Sequence, residues 1–304
     1  MRRGWRAAAL AVVVVLLVAC APTKKGAPGG GAGLYQAACA GRLGGGVVGQ
    51  VESSDLTEIS GMEASAISPG VLWTHNDSGD SARVFAMTAT GHHLGWFTLA
   101  GAAHVDWEDI ALGPGPQPGV SYLYVGDIGD NSEVRASIAV YRVAEPGVDA
   151  NNPPGDGQTL AGVDTLVLQY PDGAHDAEAL IVDPVTGDLV IVAKQPSGQA
   201  GVYVLPAGSA GGILTLAATI AVPFVTAGDV TSDGGAVVLR TYGSVLVFLR
   251  RSGMSLAGAL QSAPCTGASA SEPQGEAIAI APNSEGYATT SEGLNPPINF
   301  FARR

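Results

Sequence analysis

A short motif that recurs along most of the chain constrains its fold more than any other feature. Each copy has an acidic residue, then small and apolar residues, then proline or glycine, and successive acids are 45, 70, 51 and 47 residues apart. Spacings in the forties are typical of the four-stranded blades of a β-propeller. The five acids of the motif are Glu63, Glu108, Glu178, Asp229 and Glu276.

The first copy of the motif allows two registers. Counting from Glu63 gives the spacing above. Matching the apolar residue Met62 to Ile110 and Leu180 instead puts Ser60 at the acidic position. Both registers stay open at the level of the sequence.

The segments between the motifs are predicted to be short strands separated by turns. The first repeat, for example, has Val71–His75 followed by Arg83–Ala89, and an insertion near residues 145–164 accounts for the longest spacing. The last repeat ends one strand short, which Val47–Val51 can supply to close the ring. No window has a sustained 3.6-residue apolar period, so helices should be few. The sequence predicts an all-β, five-bladed propeller of four-stranded blades over residues 46–304, with a β-sandwich and a β-helix as alternatives.

The first 45 residues have a different character. Arginines precede an apolar run, Ala7–Leu17, that is too short to span a bilayer, which needs about 20 residues, so residues 1–19 are predicted to be a signal peptide. Leu17-Val18-Ala19-Cys20 resembles the lipobox of bacterial lipoproteins, in which the cysteine becomes the lipid-modified N-terminus. We expect residues 20–45 to be a lipidated Cys20 and a flexible tether, and the protein to be anchored by this lipid in the cell envelope, on the extracytoplasmic face of a bacterial membrane. An ordinary secretory signal is the alternative.

Two more cysteines, Cys39 and Cys265, lie outside this segment. They could be free thiols, but an even pair in an exported chain favours a disulfide bond.

The charge of the chain bears on its partners. Asp and Glu number 27 against 15 Lys and Arg, for a net charge of −12. Such an acidic chain cannot offer the basic groove that nucleic acids require, so nucleic acid is excluded as a partner. In a propeller the motif acids share a rim with the turn that follows the second strand of each blade. Five charged residues stand there, one in each blade: Asp77, Asp127, Lys194, Arg240 and Glu292.

The ordered motifs resemble the SdiA-regulated propeller family, which consists of five-bladed exported proteins, and more distantly the esterase-like phytase propellers. The segments that carry the resemblance are residues 58–62, 106–110, 176–180, 275–278 and 290–292. Both families imply a calcium ion near the propeller axis. A ring of carboxylates also needs a compensating cation, and oxygen ligands in an irregular arrangement favour Ca²⁺.

These observations lead to a functional hypothesis. We expect a monomeric, calcium-containing propeller that binds a small-molecule, glycan or protein ligand on its acidic rim without catalysis. The expected metal ligands are Asp106, Glu108, Asp176, Glu178, Asp229 and Glu276. The expected ligand-binding residues are Asp77, Asp127, Lys194, Arg240 and Glu292. One alternative is a metal-dependent phosphoesterase or esterase at the same rim, in which Lys194 or Arg240 stabilises charge. Another is that the motif acids only accept backbone hydrogen bonds from the next blade.

Overall fold

The computed structural model describes residues 30–304, so the predicted signal peptide and Cys20 lie outside the described residues. The described chain forms five β-sheets arranged as the blades of a propeller, which confirms the predicted fold class. Neither helix within residues 30–304 is long and apolar enough to cross a membrane.

The first two elements occupy part of the segment for which a flexible tether is expected. Helix α1 (Gly30–Cys39) is followed by strand β1 (Leu43–Gln50). The helix is ordered by packing, because Leu34 and Ala38 are buried against the fourth blade. The packed body therefore includes α1 and β1, which precede the predicted boundary at residue 46.

Blades 1 and 2 have four antiparallel strands each, innermost first, plus one added edge strand. The strands of blade 1 are β2 (Ile59–Ala64), β3 (Val71–Asn76), β4 (Arg83–Thr88) and β5 (His93–Leu99). The next strands along the chain are β6 (Trp107–Pro114), β7 (Ser121–Asp127), β8 (Ile138–Ala144), β9 (Gln158–Leu160) and β10 (Asp164–Gln169). Blade 2 consists of β6, β7, β8 and β10, whereas β9, in the predicted insertion, pairs in parallel with β5 of blade 1.

Blades 3, 4 and 5 repeat this pattern. Blade 3 has β11 (Ala177–Val182), β12 (Leu189–Ala193), β13 (Ala200–Leu205) and, after the edge strand β14 (Gly211–Ile213) that joins blade 2, β15 (Thr215–Ile220). Blade 4 has β16 (Val225–Val230), β17 (Ala236–Thr241), β18 (Ser244–Leu249), the short helix α2 (Leu256–Leu260) and β19 (Cys265–Thr266). Blade 5 has β20 (Gly275–Ile280), β21 (Gly286–Ser291) and β22 (Pro297–Arg303).

The ring closes through an N-terminal strand, as predicted. Strand β1 is the outermost strand of blade 5 and runs antiparallel to β22, with Leu43 opposite Arg303 and Gln50 opposite Pro297. The innermost strands contact one another around the whole ring, in the order β2, β6, β11, β16, β20 and back to β2. Closure of this kind leaves no free inner edge.

The disulfide bond between Cys39 and Cys265 confirms the predicted pairing. Its Cα atoms are 4.8 Å apart, and it joins the end of α1 to β19 of blade 4 across 226 residues of sequence. Because β1 follows directly and belongs to blade 5, the bond holds the chain in place just before the closing strand. A loop of this length corresponds to roughly 4–5 kcal/mol of stabilisation in the chain-entropy model.

Candidate metal centre

A β-bulge at the start of three inner strands positions the motif acids. In β6 the pairing with β7 skips Glu108, in β11 the pairing with β12 skips Glu178, and in β20 the pairing with β21 skips Glu276. A bulge bends the strand locally and turns the extra side chain out of the regular pleat. All three glutamates are 3% exposed, and they stand at equivalent positions around one end of the propeller axis.

The position of the bulge also shows which residues of blades 1 and 4 are equivalent to Glu108. The irregularity in β2 lies between Ile59 and Met62, so Ser60, not Glu63, is equivalent to Glu108. In β16 it lies between Val225 and Ala227, so blade 4 has Thr226 at this position. Asp229 lies three residues further along its strand, opposite Val238, and therefore stands at the other end of the inner strand. The prediction that Asp229 lies with the other metal ligands is therefore wrong, because its side chain is at the opposite end of the inner strand.

Five carboxylates converge at the bulged end of the inner strands. Oxygens of Asp77, Asp106 and Glu108 lie within 4.8 Å of one another, and so do oxygens of Glu108, Asp176 and Glu178. Ligand oxygens on opposite sides of one Ca²⁺ are about 4.6–5.2 Å apart, twice the usual Ca–O distance. Each group of three could therefore hold a metal ion. We call this region, with the adjacent Glu276, the acidic mouth.

Several carboxylate oxygens of the acidic mouth have no partner. Glu178 Oε2, Glu276 Oε2 and Asp77 Oδ1 are buried and accept no hydrogen bond from the described residues. Buried polar atoms are almost always hydrogen-bonded, so a set of orphaned acceptors in one place indicates a missing partner. A cation supplies the partner that such oxygens require.

Burial and mutual repulsion raise the pKa values across the acidic mouth. The pKa of Glu108 lies well above its usual range because the side chain is buried, with the charge of Glu178 as the next contribution. Burial and the charge of Glu276 raise the pKa of Glu178 to about 9, and burial and the charge of Asp106 raise that of Asp77 to about 8. The pKa values of Asp106, Asp176 and Glu276 are raised by burial too. These acids cannot all ionise at neutral pH without a compensating cation.

A buried ion pair supports the loop that carries Asp106. The Asp127 carboxylate accepts hydrogen bonds from the N–H groups of Val105 and Asp106, both at 3.3 Å, and from the Arg135 guanidinium at 2.7 Å. Asp127 is only 1% exposed, so it is a support for the acidic mouth rather than the rim residue that the sequence suggests. The outer turn of blade 2 contributes Arg135, a residue that sequence reasoning did not select.

Gly129 makes room for two of the acids. A Cβ atom at this position would overlap Glu108 Oε1 and Asp106 Oδ2. Its backbone N–H donates to the Asp106 carbonyl oxygen at 3.2 Å, and its φ is not in the left-handed region. Glycine is therefore required at this position for space and not for backbone conformation.

The two basic residues predicted for the rim are both ion-paired. Lys194 Nζ contacts Glu178 Oε1 and lies 5.0 Å above the Tyr242 ring, at the edge of the acidic mouth. Arg240 is 2% exposed and pairs with Glu272, so its expected place on the rim is corrected to a buried position. The strand register explains the error, because Arg240 lies two residues before Tyr242, the true equivalent of Lys194.

Glu292 lies on the rim, directly after the second strand of blade 5, as the sequence predicts. It follows the last residue of β21 as Lys194 follows β12, and burial together with the charge of Glu276 raises its pKa to about 7. Its N–H donates to the Gln274 carbonyl oxygen at 3.1 Å. Glu292 thus adds to the negative charge beside Glu276 without belonging to either group of three carboxylates.

Two buried acids lie towards the opposite ends of the inner strands. Glu63 accepts hydrogen bonds from the N–H groups of Ala64 and Leu112, and Asp229 accepts from Val230 and Ile280. We call this region the far end of the axis. We group with it Asp109, which follows Glu108 in β6 and lies among the inner strands, where it accepts from backbone N–H groups of three blades. The alternative that motif acids hold neighbouring blades together is therefore correct for the far end.

The chain matches no protein-family model and no curated protein.

Proposed function

We propose that the protein binds a divalent cation at the acidic mouth and uses it to hold a ligand, without catalysing a reaction. The observation that carries this proposal is the buried, unpartnered Glu178 Oε2 inside a cluster of carboxylates with raised pKa values. Calcium fits best, because all the donors are hard oxygens and they come from several loops in an irregular arrangement.

The ligand would complete the coordination of the cation from the open side of the acidic mouth. Oxygen-rich groups such as carboxylates or sugar hydroxyls suit this role, whether on a small molecule, a glycan or a protein. In the hydrolase alternative, Lys194 or Arg240 helps the metal to stabilise developing charge. Lys194 and Arg240 are both ion-paired, which favours binding over hydrolysis.

We also propose that the chain is exported, lipidated at Cys20 and related to the SdiA-regulated propellers. The five blades and the order of the motifs support the kinship. At the start of α1, the N–H of Gly31 donates to the Asp233 carboxylate at 3.0 Å. Asp233 lies in the turn between β16 and β17, on the face opposite the acidic mouth. A lipid anchor that leads into α1 would thus leave the acidic mouth facing away from the membrane.

Calorimetric titration tests cation binding. Purified protein is stripped with EDTA, dialysed and titrated with Ca²⁺ and separately with Mg²⁺. We expect a Ca²⁺ dissociation constant on the order of 10⁻⁴–10⁻³ M, the range of extracellular calcium modules, and weaker Mg²⁺ binding. Absence of Ca²⁺ binding in a folded sample would refute the proposal.

Two further measurements test the remaining parts. A screen of phosphate and acyl esters with Ca²⁺ or EDTA should show no metal-dependent turnover; turnover that the cation restores would establish the hydrolase instead. Mass spectrometry of the mature protein should show acyl chains on an N-terminal Cys20, and an unmodified cysteine there would contradict the lipid anchor.

A further inference from the structure

We propose that the acidic mouth holds two divalent cations, bridged by the carboxylate of Glu108. This inference rests on the proposed function and concerns how many ions the site takes. Among the described residues, the converging carboxylates form two groups of three rather than one group of five, and Glu108 is the member that both groups share. A carboxylate has two oxygens, so Glu108 can serve both ions.

The two groups come from different parts of the ring. Asp77 follows β3 of blade 1, and Asp106 immediately precedes β6 of blade 2. Asp176 and Glu178 flank the start of β11 in blade 3. Glu108 lies in β6 of blade 2, between Asp77 of blade 1 and the two acids of blade 3. Within each group the three oxygens already lie within 4.8 Å of one another, so each group can hold an ion as it stands. Among the described residues no such group contains all five carboxylates.

Each group contains an acceptor that no protein group satisfies. In the first group it is Asp77 Oδ1, and in the second it is Glu178 Oε2, whose side chain is 4% exposed. The other oxygen of Glu178 contacts Lys194, so Oε2 remains free for an ion without breaking that ion pair. Both positions thus show an independent sign of a missing partner.

Charge also favours two ions. The five carboxylates and the adjacent Glu276 carry six negative charges when ionised, and Lys194 supplies one positive charge beside Glu178. Two divalent cations leave one negative charge in this set, whereas one cation leaves three uncompensated in a largely buried cluster. Uncompensated buried charge is strongly unfavourable.

The number of bound ions tests this inference directly. EDTA-stripped protein is dialysed against Ca²⁺ well above its dissociation constant, and bound calcium is counted by equilibrium dialysis and by native mass spectrometry. We expect two ions in the unmodified protein and one in either Asp77→Asn or Glu178→Gln. Glu108→Gln should weaken both ions at least tenfold. The control Asp164→Asn removes an exposed acid that pairs with Arg142, and should keep two ions.

The possible outcomes separate the two proposals. A single bound ion in the unmodified protein, lost on substitution in either group, would overturn the two-ion inference and leave calcium binding intact. No bound ion would overturn calcium binding itself. Near-ultraviolet circular dichroism in EDTA shows that each variant is folded, and Asp106→Asn and Asp176→Asn provide a second pair of variants, one for each group, if the first pair fails this check.

Discussion

Both ends of the propeller axis hold buried acids, but only those at the far end have all their carboxylate oxygens hydrogen-bonded. Burial raises the pKa values at both ends, those of Glu63 and Asp109 as well as that of Glu178. At the far end, both oxygens of Glu63, Asp109 and Asp229 accept backbone N–H groups. At the acidic mouth, buried oxygens are left without such donors. Burial alone therefore does not identify a binding site, whereas the supply of hydrogen-bond donors does.

The difference between the two ends arises from the β-bulge at the start of strand β6. Glu108 and Asp109 are adjacent, yet the bulge sends Glu108 to the acidic mouth and leaves Asp109 among the inner strands, 1% exposed. Asp109 Oδ2 accepts from Leu180 in blade 3 at 2.9 Å and from Gly228 in blade 4 at 3.1 Å. One acid thus links blades, and its neighbour is available to an ion.

Removal of the linking acid should have the largest effect on stability. Asp109→Ala leaves buried N–H groups of Ile110, Leu180 and Gly228 without an acceptor, each at a cost of about 1–3 kcal/mol. We expect the free energy of unfolding to fall by about 3 kcal/mol or more, measured by urea unfolding in EDTA. Asp164→Asn, on the surface, is the control. A loss below about 1 kcal/mol would show that the far end does not depend on its acids.

Calcium should stabilise the protein through the acidic mouth. An ion that binds only the folded state adds about 2.7 kcal/mol per site at one hundred times its dissociation constant. We expect the Tm to rise on the order of 5 °C with Ca²⁺ and to return with EDTA. Asp109→Ala, if still folded, should keep this rise, whereas Glu108→Gln should lose most of it. Equal responses in both variants would contradict the division between the two ends.

The space at Gly129 should control affinity for the ion. In Gly129→Ala the new methyl group displaces the carboxylates of Asp106 and Glu108, and we expect Ca²⁺ to bind about tenfold more weakly, or about 1.4 kcal/mol. Gly147→Ala is the matched control, since a Cβ atom there meets nothing and its φ is equally ordinary. Calorimetric titration of both variants gives the comparison. Identical affinities would mean that the carboxylates bind ions from another arrangement.

The smallest expected effect is the part of the pH dependence of stability that comes from two residues at the acidic mouth, Asp77 and Glu292. In the folded protein the pKa of Asp77 is about 8 and that of Glu292 about 7, against ordinary values of 3.8 and 4.5. Between about pH 4 and pH 8 the folded state therefore holds more protons than the unfolded state. The cation-free protein should therefore lose stability as the pH rises through this window. We expect on the order of 1 kcal/mol, because solvent screens these partly exposed groups.

Melting in EDTA at pH 5, 6.5 and 8 measures this slope. Asp77→Asn should flatten it, and Asp164→Asn should not. Asp80 and Asp183, whose pKa values are lowered by hydrogen bonds and nearby arginines, act in the opposite sense but only below about pH 4. Calcium affinity should rise with pH, because binding displaces protons. Higher stability at pH 8 than at pH 5 without calcium would contradict the raised pKa values.

The blades were predictable because each repeat contains local signals. Apolar runs such as Leu189–Ala193 end at turn residues, and the acid motif marks each inner strand, so strand positions agree with the structure to within a few residues. Helix α1 was not predictable in this way. Its sequence begins with Gly, Gly, Ala and Gly, and its stability comes from packing on blade 4 and from the bond to Cys265.

The site was predictable only in part, because it depends on register. Asp106, Glu108, Asp176 and Glu178 were selected from the motifs, and the structure brings them together. Asp229 and Arg240 were misplaced by two or three residues, since blade 4 lacks the acid and a similar acid stands later in the strand. A bulge adds one residue to one strand only. The spacing of residues along the sequence therefore does not show where the bulge lies.

The sequence by itself determined the number of blades, the disulfide pair and the crowding of acids near the start of inner strands. Those features depend on periodicity and residue type, which are local. Only the tertiary structure decided which acids receive backbone hydrogen bonds and which are left for an ion. That choice depends on which N–H groups the neighbouring blades present at each level of the axis, and these come from residues as far apart in the chain as Asp109 and Gly228.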